Sequence, residues 1–110
     1  MYYFIVNPNA RSGYGLRIWN RLEKYLMLKE IPYRVFLTER PGHASEYADQ
    51  ITRNCQEPRV IVVVGGDGAF NEVLDGLCLS NSITLGGFRY GQRKRDADSI
   101  FRRSFLGRGV

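Results

Sequence analysis

Three glycines surround one carboxylate in Gly65-Gly66-Asp67-Gly68, where the apolar run "RVIVVV" (59 to 64) gives way to a helical pattern. Glycine tolerates unusual backbone angles and, lacking a Cβ, lets main-chain N–H groups approach a ligand closely. The helix that the spacing begins at about Ala69 adds free N–H groups and a partial positive charge, so the turn suits phosphate. Its glycine spacing fits neither G-x-x-x-x-G-K-[ST] nor G-x-G-x-x-G. Asp67 is the residue that phosphate binding leaves unexplained, because a bare carboxylate repels phosphate. A magnesium ion bridging carboxylate and phosphates offsets that charge, and so does an acceptor hydroxyl whose proton the carboxylate takes during phosphoryl transfer. Taken alone, an Asp at this point is more simply a helix cap.

The elements that position this turn follow from hydrophobic spacing. "YYFIV" (2 to 6) is a buried strand running into the turn formers "NPNARSG", and Ile18, Trp19, Leu22, Tyr25 and Leu26 mark an amphipathic helix from Leu16 to about Glu30. "YRVFLT" (33 to 38) is a second strand, followed by the turn "ERPGH" and a helix marked by Ala44, Tyr47, Ala48, Ile51 and Cys55. The run 59 to 66 lacks alternation, as a strand buried on both faces of a parallel sheet does. Phe70, Val73, Leu74, Leu77 and Cys78 give a third helix, with the stripe Phe70/Leu74/Leu77 in the core, and "SITLGGF" (82 to 88) a fourth strand. This alternation predicts a three-layer α/β fold: a mainly parallel sheet of about four strands with helices on both faces. The loops "NPNARSGYG", "TERPGH" and "GGDGAF" then share one rim, beyond the carboxyl ends of the strands, where such sheets bind ligands.

Composition narrows the classes. The 110 residues suffice for one domain, and no run reaches the ~20 apolar residues of a membrane-spanning helix. The start lacks the pattern of a signal peptide, so the cytosol is the default compartment. Cys55 and Cys78 form neither a disulfide framework nor a zinc motif and are read as reduced, packed thiols. The net charge of +5 lies wholly in the tail: residues 1 to 86 hold nine basic and nine acidic side chains, whereas residues 87 to 110 hold seven basic and two acidic. The main body thus has no electrostatic signature of a nucleic-acid binder, and no nucleic-acid partner is expected.

Taken together, "NPNARSG", "TERPGHASEYA" and "VVVGGDGAFNEVLDGL" resemble the diacylglycerol kinase catalytic-domain family, its bacterial lipid-kinase members included. Asn7, Pro8, Gly13, Thr38, Gly42, His43, Ala44, Gly65, Gly66, Asp67, Gly68, Asn71, Glu72, Val73 and Gly76 match its patterns in order. The resemblance implies that Asn7 and Thr38 contact ATP, that Gly65, Gly66 and Gly68 cradle its phosphates, and that Asp67 acts on Mg2+ or on the acceptor hydroxyl. Asn71 and Glu72 would support the turn or the nucleotide. His43 is given a structural role, and Arg11 and Arg17, near the rim, are read as solvated.

The pattern also breaks. Ala69 stands where the family has Thr or Ser, and after the fourth strand neither its second glycine-rich loop nor its β-rich second domain follows. The domain reading is therefore an ATP-binding portion, 1–86, and an atypical basic tail, 87–110. An excised piece, a departure of reading frame near residue 87 and a short paralogue all fit that tail. In it Ala97, Ile100, Phe101 and Phe105 share one helical face, suited to anionic lipid or an acidic partner, although a solvated terminus is the simpler reading. The function implied is an ATP- and magnesium-dependent kinase phosphorylating a diacylglycerol-like lipid at a membrane surface, with little or no turnover by this chain alone. A non-catalytic nucleotide-binding or interaction module and an NAD kinase-like activity are the alternatives. An exposed sheet edge favours a homo-oligomer.

Overall fold

In the computed structural model residues 1–53, 57–78 and 83–88 are described, with Ala10, Arg11, Ser12, Asp67 and Phe88 described by backbone alone. Cys55, Ser82 and the tail features expected from residue 89 onward lie outside the described residues. The order is β1 (Tyr2–Val6), α1 (Ala10–Leu28), β2 (Tyr33–Leu37), α2 (His43–Thr52), β3 (Arg59–Val64), α3 (Asp67–Gly76) and β4 (Ile83–Phe88). All pairings are parallel and the sheet order is β2-β1-β3-β4.

Alternation along the two central strands divides the core. Phe4, Val6, Val62 and Val64 face α1, where Ile18, Trp19, Leu22 and Leu26 cover them. Tyr3, Ile5, Ile61 and Val63 face the other way, against Ala44, Ala48 and Ile51 of α2 and Val73 of α3. Both faces are therefore buried, which is why β3 reads as an unbroken β-branched run. Each fully buried side chain of this kind contributes ~1.5–3 kcal/mol. The three-layer expectation holds, with α1 on one face and α2 and α3 on the other.

Several local expectations need correction. α1 is assigned from Ala10, not Leu16, but Gly13 within it takes φ +94 and Leu16 N–H reaches back to Pro8 O at 3.2 Å. Regular helical spacing begins only past that left-handed residue. α3 starts at Asp67, two residues before Ala69, so Gly68 sits in its first turn. Leu74 is exposed rather than core, because α3 turns Val73 to the sheet with Ala69, Phe70 and Leu77 beside it. Cys78 is exposed, its Sγ 3.5 Å from Asp49 Oδ1, rather than a packed thiol. Among the described residues no helix is long and apolar enough to cross a membrane.

Candidate functional site

The sheet's two halves wind in opposite directions from the β1/β3 pair, which opens a crevice at their carboxyl ends. The ladder itself fixes the first two candidate residues there. Asn7 N–H donates to Val64 O at 3.0 Å, and Thr38 N–H to Val6 O at 2.8 Å, so each sits one residue past its strand in continued register. Asn7 Oδ1 also accepts from Asn9 N–H at 3.2 Å, turning the chain into α1.

A cleft of about 330 Å³ occupies this rim, lined by Asn7, Asn9, Thr38, Glu39, Arg40, Pro41, Ala44, Gly68, Ala69 and Glu72. Asn9 is the N-cap of α1, Ala44 lies in the first turn of α2, and Gly68 and Ala69 lie in the first turn of α3. Three helix N-termini thus open onto one space. First-turn N–H groups lack intrahelical acceptors, and each terminus carries partial positive charge, so the arrangement favours an anion with several oxygen acceptors.

The glycines divide by task. Among the described glycines only Gly13 and Gly42 have positive φ, at +94 and +84, so the turn at 65–68 does not use left-handed backbone. Gly66 is the extended N-cap of α3. A Cβ on Gly65 would lie 3.1 Å from Ala69 Cβ and 3.6 Å from Asn7 Cβ, so this glycine lets α3 and the β1 loop close on each other. A Cβ on Gly68 would meet nothing within 4 Å, so the wall of the cleft there is open.

Glu72 joins the rim from α3. Its Oε1 accepts from Gly42 N–H at 3.1 Å, tying the β2–α2 loop to α3 at the residue where that loop turns left-handed. Replacing Glu72 with Ala strands that N–H, and a destabilisation of about 1–2 kcal/mol is expected. Urea unfolding midpoints of the two proteins measure it; equal midpoints would show the bond carries no stability. Arg40 is held on the same loop by a two-pronged pair with Glu46, at 2.6 and 2.7 Å. That fork keeps the Glu46 carboxyl below the usual carboxylate range.

Of the residues singled out from sequence, Asn7, Thr38, Gly68 and Glu72 line the cleft, whereas Gly65 and Gly66, between β3 and α3, are outside its lining. Asp67 opens α3 directly after Gly66. Asn71 is exposed and outside the lining, as is Arg17. Glu39, Arg40 and Pro41 were missed, although their place in a loop on the shared rim was a sufficient signal. Among the described residues no three His, Cys, Asp or Glu side chains gather as a metal site.

The profile of the "Diacylglycerol kinase catalytic domain" matches residues 1–93. YtlR of Bacillus subtilis, assigned as a lipid kinase, is 44% identical over 78 residues, which are 69% of this chain and 25% of YtlR. The ceramide kinase of Arabidopsis thaliana is 36% identical over 76 residues, 68% of this chain and 12% of that enzyme. A Bacillus anthracis structure assigned as a diacylglycerol kinase superposes with a TM-score of 0.66 at 26% identity, covering 82% of this chain and 32% of that one. The chain therefore spans about a quarter of the length of YtlR and less of the plant enzyme.

Proposed function

The chain belongs to the diacylglycerol kinase catalytic domain family, and on that premise we propose that it is the nucleotide-binding portion of an ATP-dependent lipid kinase. The convergence of three helix N-termini on one polar cleft, between Asn7 and Thr38, is the observation that supports this reading most. The acceptor in this proposal is the hydroxyl of a long-chain lipid, of the diacylglycerol or ceramide kind, met at a membrane surface.

The residues then act by positioning and charge. First-turn N–H groups of α3 and the open wall at Gly68 receive phosphate oxygens. Asn7 and Thr38, locked to the ends of β1 and β2, offer short polar side chains to the nucleotide. Asp67 would hold Mg2+ or take the proton of the attacking hydroxyl. When bound, Mg2+ neutralises charge on the phosphate oxygens.

Gly68 supplies the test. A Leu at this position meets no protein atom at its Cβ and suits a helix, so the fold is expected to stay intact while the side chain occupies cleft space. Calorimetric titration with MgATP should show saturable binding by the chain and a loss of about tenfold or more in Gly68→Leu, at an unchanged melting temperature. Failure of the folded chain to bind MgATP would overturn the nucleotide reading. A nucleotide-binding module without turnover shares this cleft; lipid phosphorylation by a longer protein separates the two.

A further inference from the structure

The β2–α2 loop, which contributes Thr38, Glu39, Arg40 and Pro41 to the cleft wall, is held by a residue that does not itself line the cleft. His43, the first residue of α2, donates its backbone N–H to Arg40 O at 3.1 Å. Its ring nitrogen Nδ1 accepts from Glu39 N–H at 3.0 Å. The two bonds run in opposite directions and close the loop on itself. Because a backbone N–H can only donate, Nδ1 must present its lone pair, and the ring proton must sit on Nε2. The ring is then fixed from its face: it stacks on Tyr47 at 4.1 Å between centroids, Tyr47 packs on Phe36 of β2 at 5.1 Å, and Tyr47 O–H donates to Leu37 O at 3.0 Å. A column of rings thus connects the edge strand to the loop.

We infer that His43 is a positioning residue for the nucleotide: as a neutral acceptor it holds the 38–41 wall in its binding conformation, and protonation of the ring releases that wall. A proton on Nδ1 removes the acceptor and sets an N–H against the Glu39 N–H. The charged and titratable groups around the ring are Glu39 and Arg40 of the loop, Glu46 and Tyr47 of α2 and, through Gly42 N–H, Glu72 of α3. Glu72 is engaged by Gly42, whereas the Glu46 carboxyl, lowered first by its hydrogen bonds from Arg40, is lowered also by the charge of the His43 ring. Nucleotide affinity is therefore present while the imidazole is neutral and falls when the ring takes up a proton at Nδ1.

The inference rests on the nucleotide reading of the cleft, and the test keeps the two apart. His43→Asn places an amide oxygen near the position of Nδ1, accepts the same bond and does not titrate; His43→Ala supplies no acceptor. The Glu39 amide proton of the 110-residue chain, followed by NMR at about pH 8 and about pH 5.5, should move upfield on acidification in the wild type and stay fixed in His43→Asn. MgATP affinity at the higher pH should be preserved in His43→Asn and about three- to tenfold weaker in His43→Ala, the range of one lost hydrogen bond. The acid-dependent loss beyond that of His43→Asn should be of the same size. A Glu39 amide that ignores pH, or a His43→Asn protein as acid-sensitive as the wild type, would overturn the inference. Absence of MgATP binding at either pH would instead overturn the nucleotide reading and, with it, the purpose assigned to the loop, whatever the Glu39 amide does.

Discussion

Asp67→Asn is expected to reduce lipid phosphorylation about a thousandfold, within the range a positioned acid–base group contributes, while leaving the fold as stable as before. The chain spans about a quarter of YtlR, so the reaction is best followed in a protein that joins residues 1–88 to the remainder of that relative. Asparagine is chosen because it separates the two roles open to the residue. As a helix cap it equals aspartate, so a residue that only capped α3 would tolerate the change. Gly66 already holds the N-cap position and Asp67 is the first helical residue, where a carboxylate adds only ~0.3–1 kcal/mol through the helix dipole. That gain is too small to explain an acidic residue in a turn otherwise suited to anions. The amide neither takes a proton from a hydroxyl nor binds Mg2+ with charge. Transfer of labelled phosphate from ATP to diacylglycerol vesicles measures the effect; activity within about tenfold of the unsubstituted protein would remove Asp67 from the chemistry.

The parts of this molecule that depend on neighbours in sequence were legible, and those that depend on distant contacts were not. "RVIVVV" could only be a doubly buried strand, and the order of strands and helices then placed three loops on one rim, where Asn7, Thr38 and Gly68 meet. Nothing local distinguished Leu74 from Leu77, since both satisfy helical spacing; which one faces the sheet depends on how α3 is rotated against β3 and β4. The same limit hid the tie between Glu72 and Gly42, 30 residues apart. It also hid the use of His43, because a ring that accepts from the loop preceding it has no periodic signature. Glycines misled in a different way. Freedom of φ is a property of the residue type, but among the described glycines only Gly13 and Gly42 use it; Gly65 serves close approach instead, and Gly68 leaves the cleft wall open.

Close approach is strongest at Gly76, and Gly76→Ala is expected to cost about 3 kcal/mol or more in stability. The residue ends α3 without left-handed backbone, so conformational freedom is not what it supplies. A Cβ built there would lie 2.1 Å from the backbone O of Ser45, 2.8 Å from its carbonyl carbon and 2.8 Å from its Oγ. A hydroxyl can rotate away, but a carbonyl inside α2 can move only with the helix. Alanine otherwise favours a helix over glycine by about 1 kcal/mol, so propensity alone predicts the opposite sign. The clash must exceed that gain, and it does so by forcing α2 and α3 apart. Their separation has a consequence at the rim, since Glu72 stands one turn before Gly76 and holds Gly42 N–H, while beyond it Cys78 N–H donates to Thr52 Oγ1 at 2.8 Å. Both bonds span the contact that the methyl group opens. A drop of roughly 10 °C or more in melting temperature is therefore expected, together with weaker MgATP binding by the fraction still folded. A melting temperature within about 2 °C of the unsubstituted chain would show that α2 yields without cost. The glycine that closes the sequence signature ten residues after Gly66 thus acts on the site without touching a ligand. By admitting α2 against α3, it sets the distance from which Glu72 fixes the loop that walls the cleft.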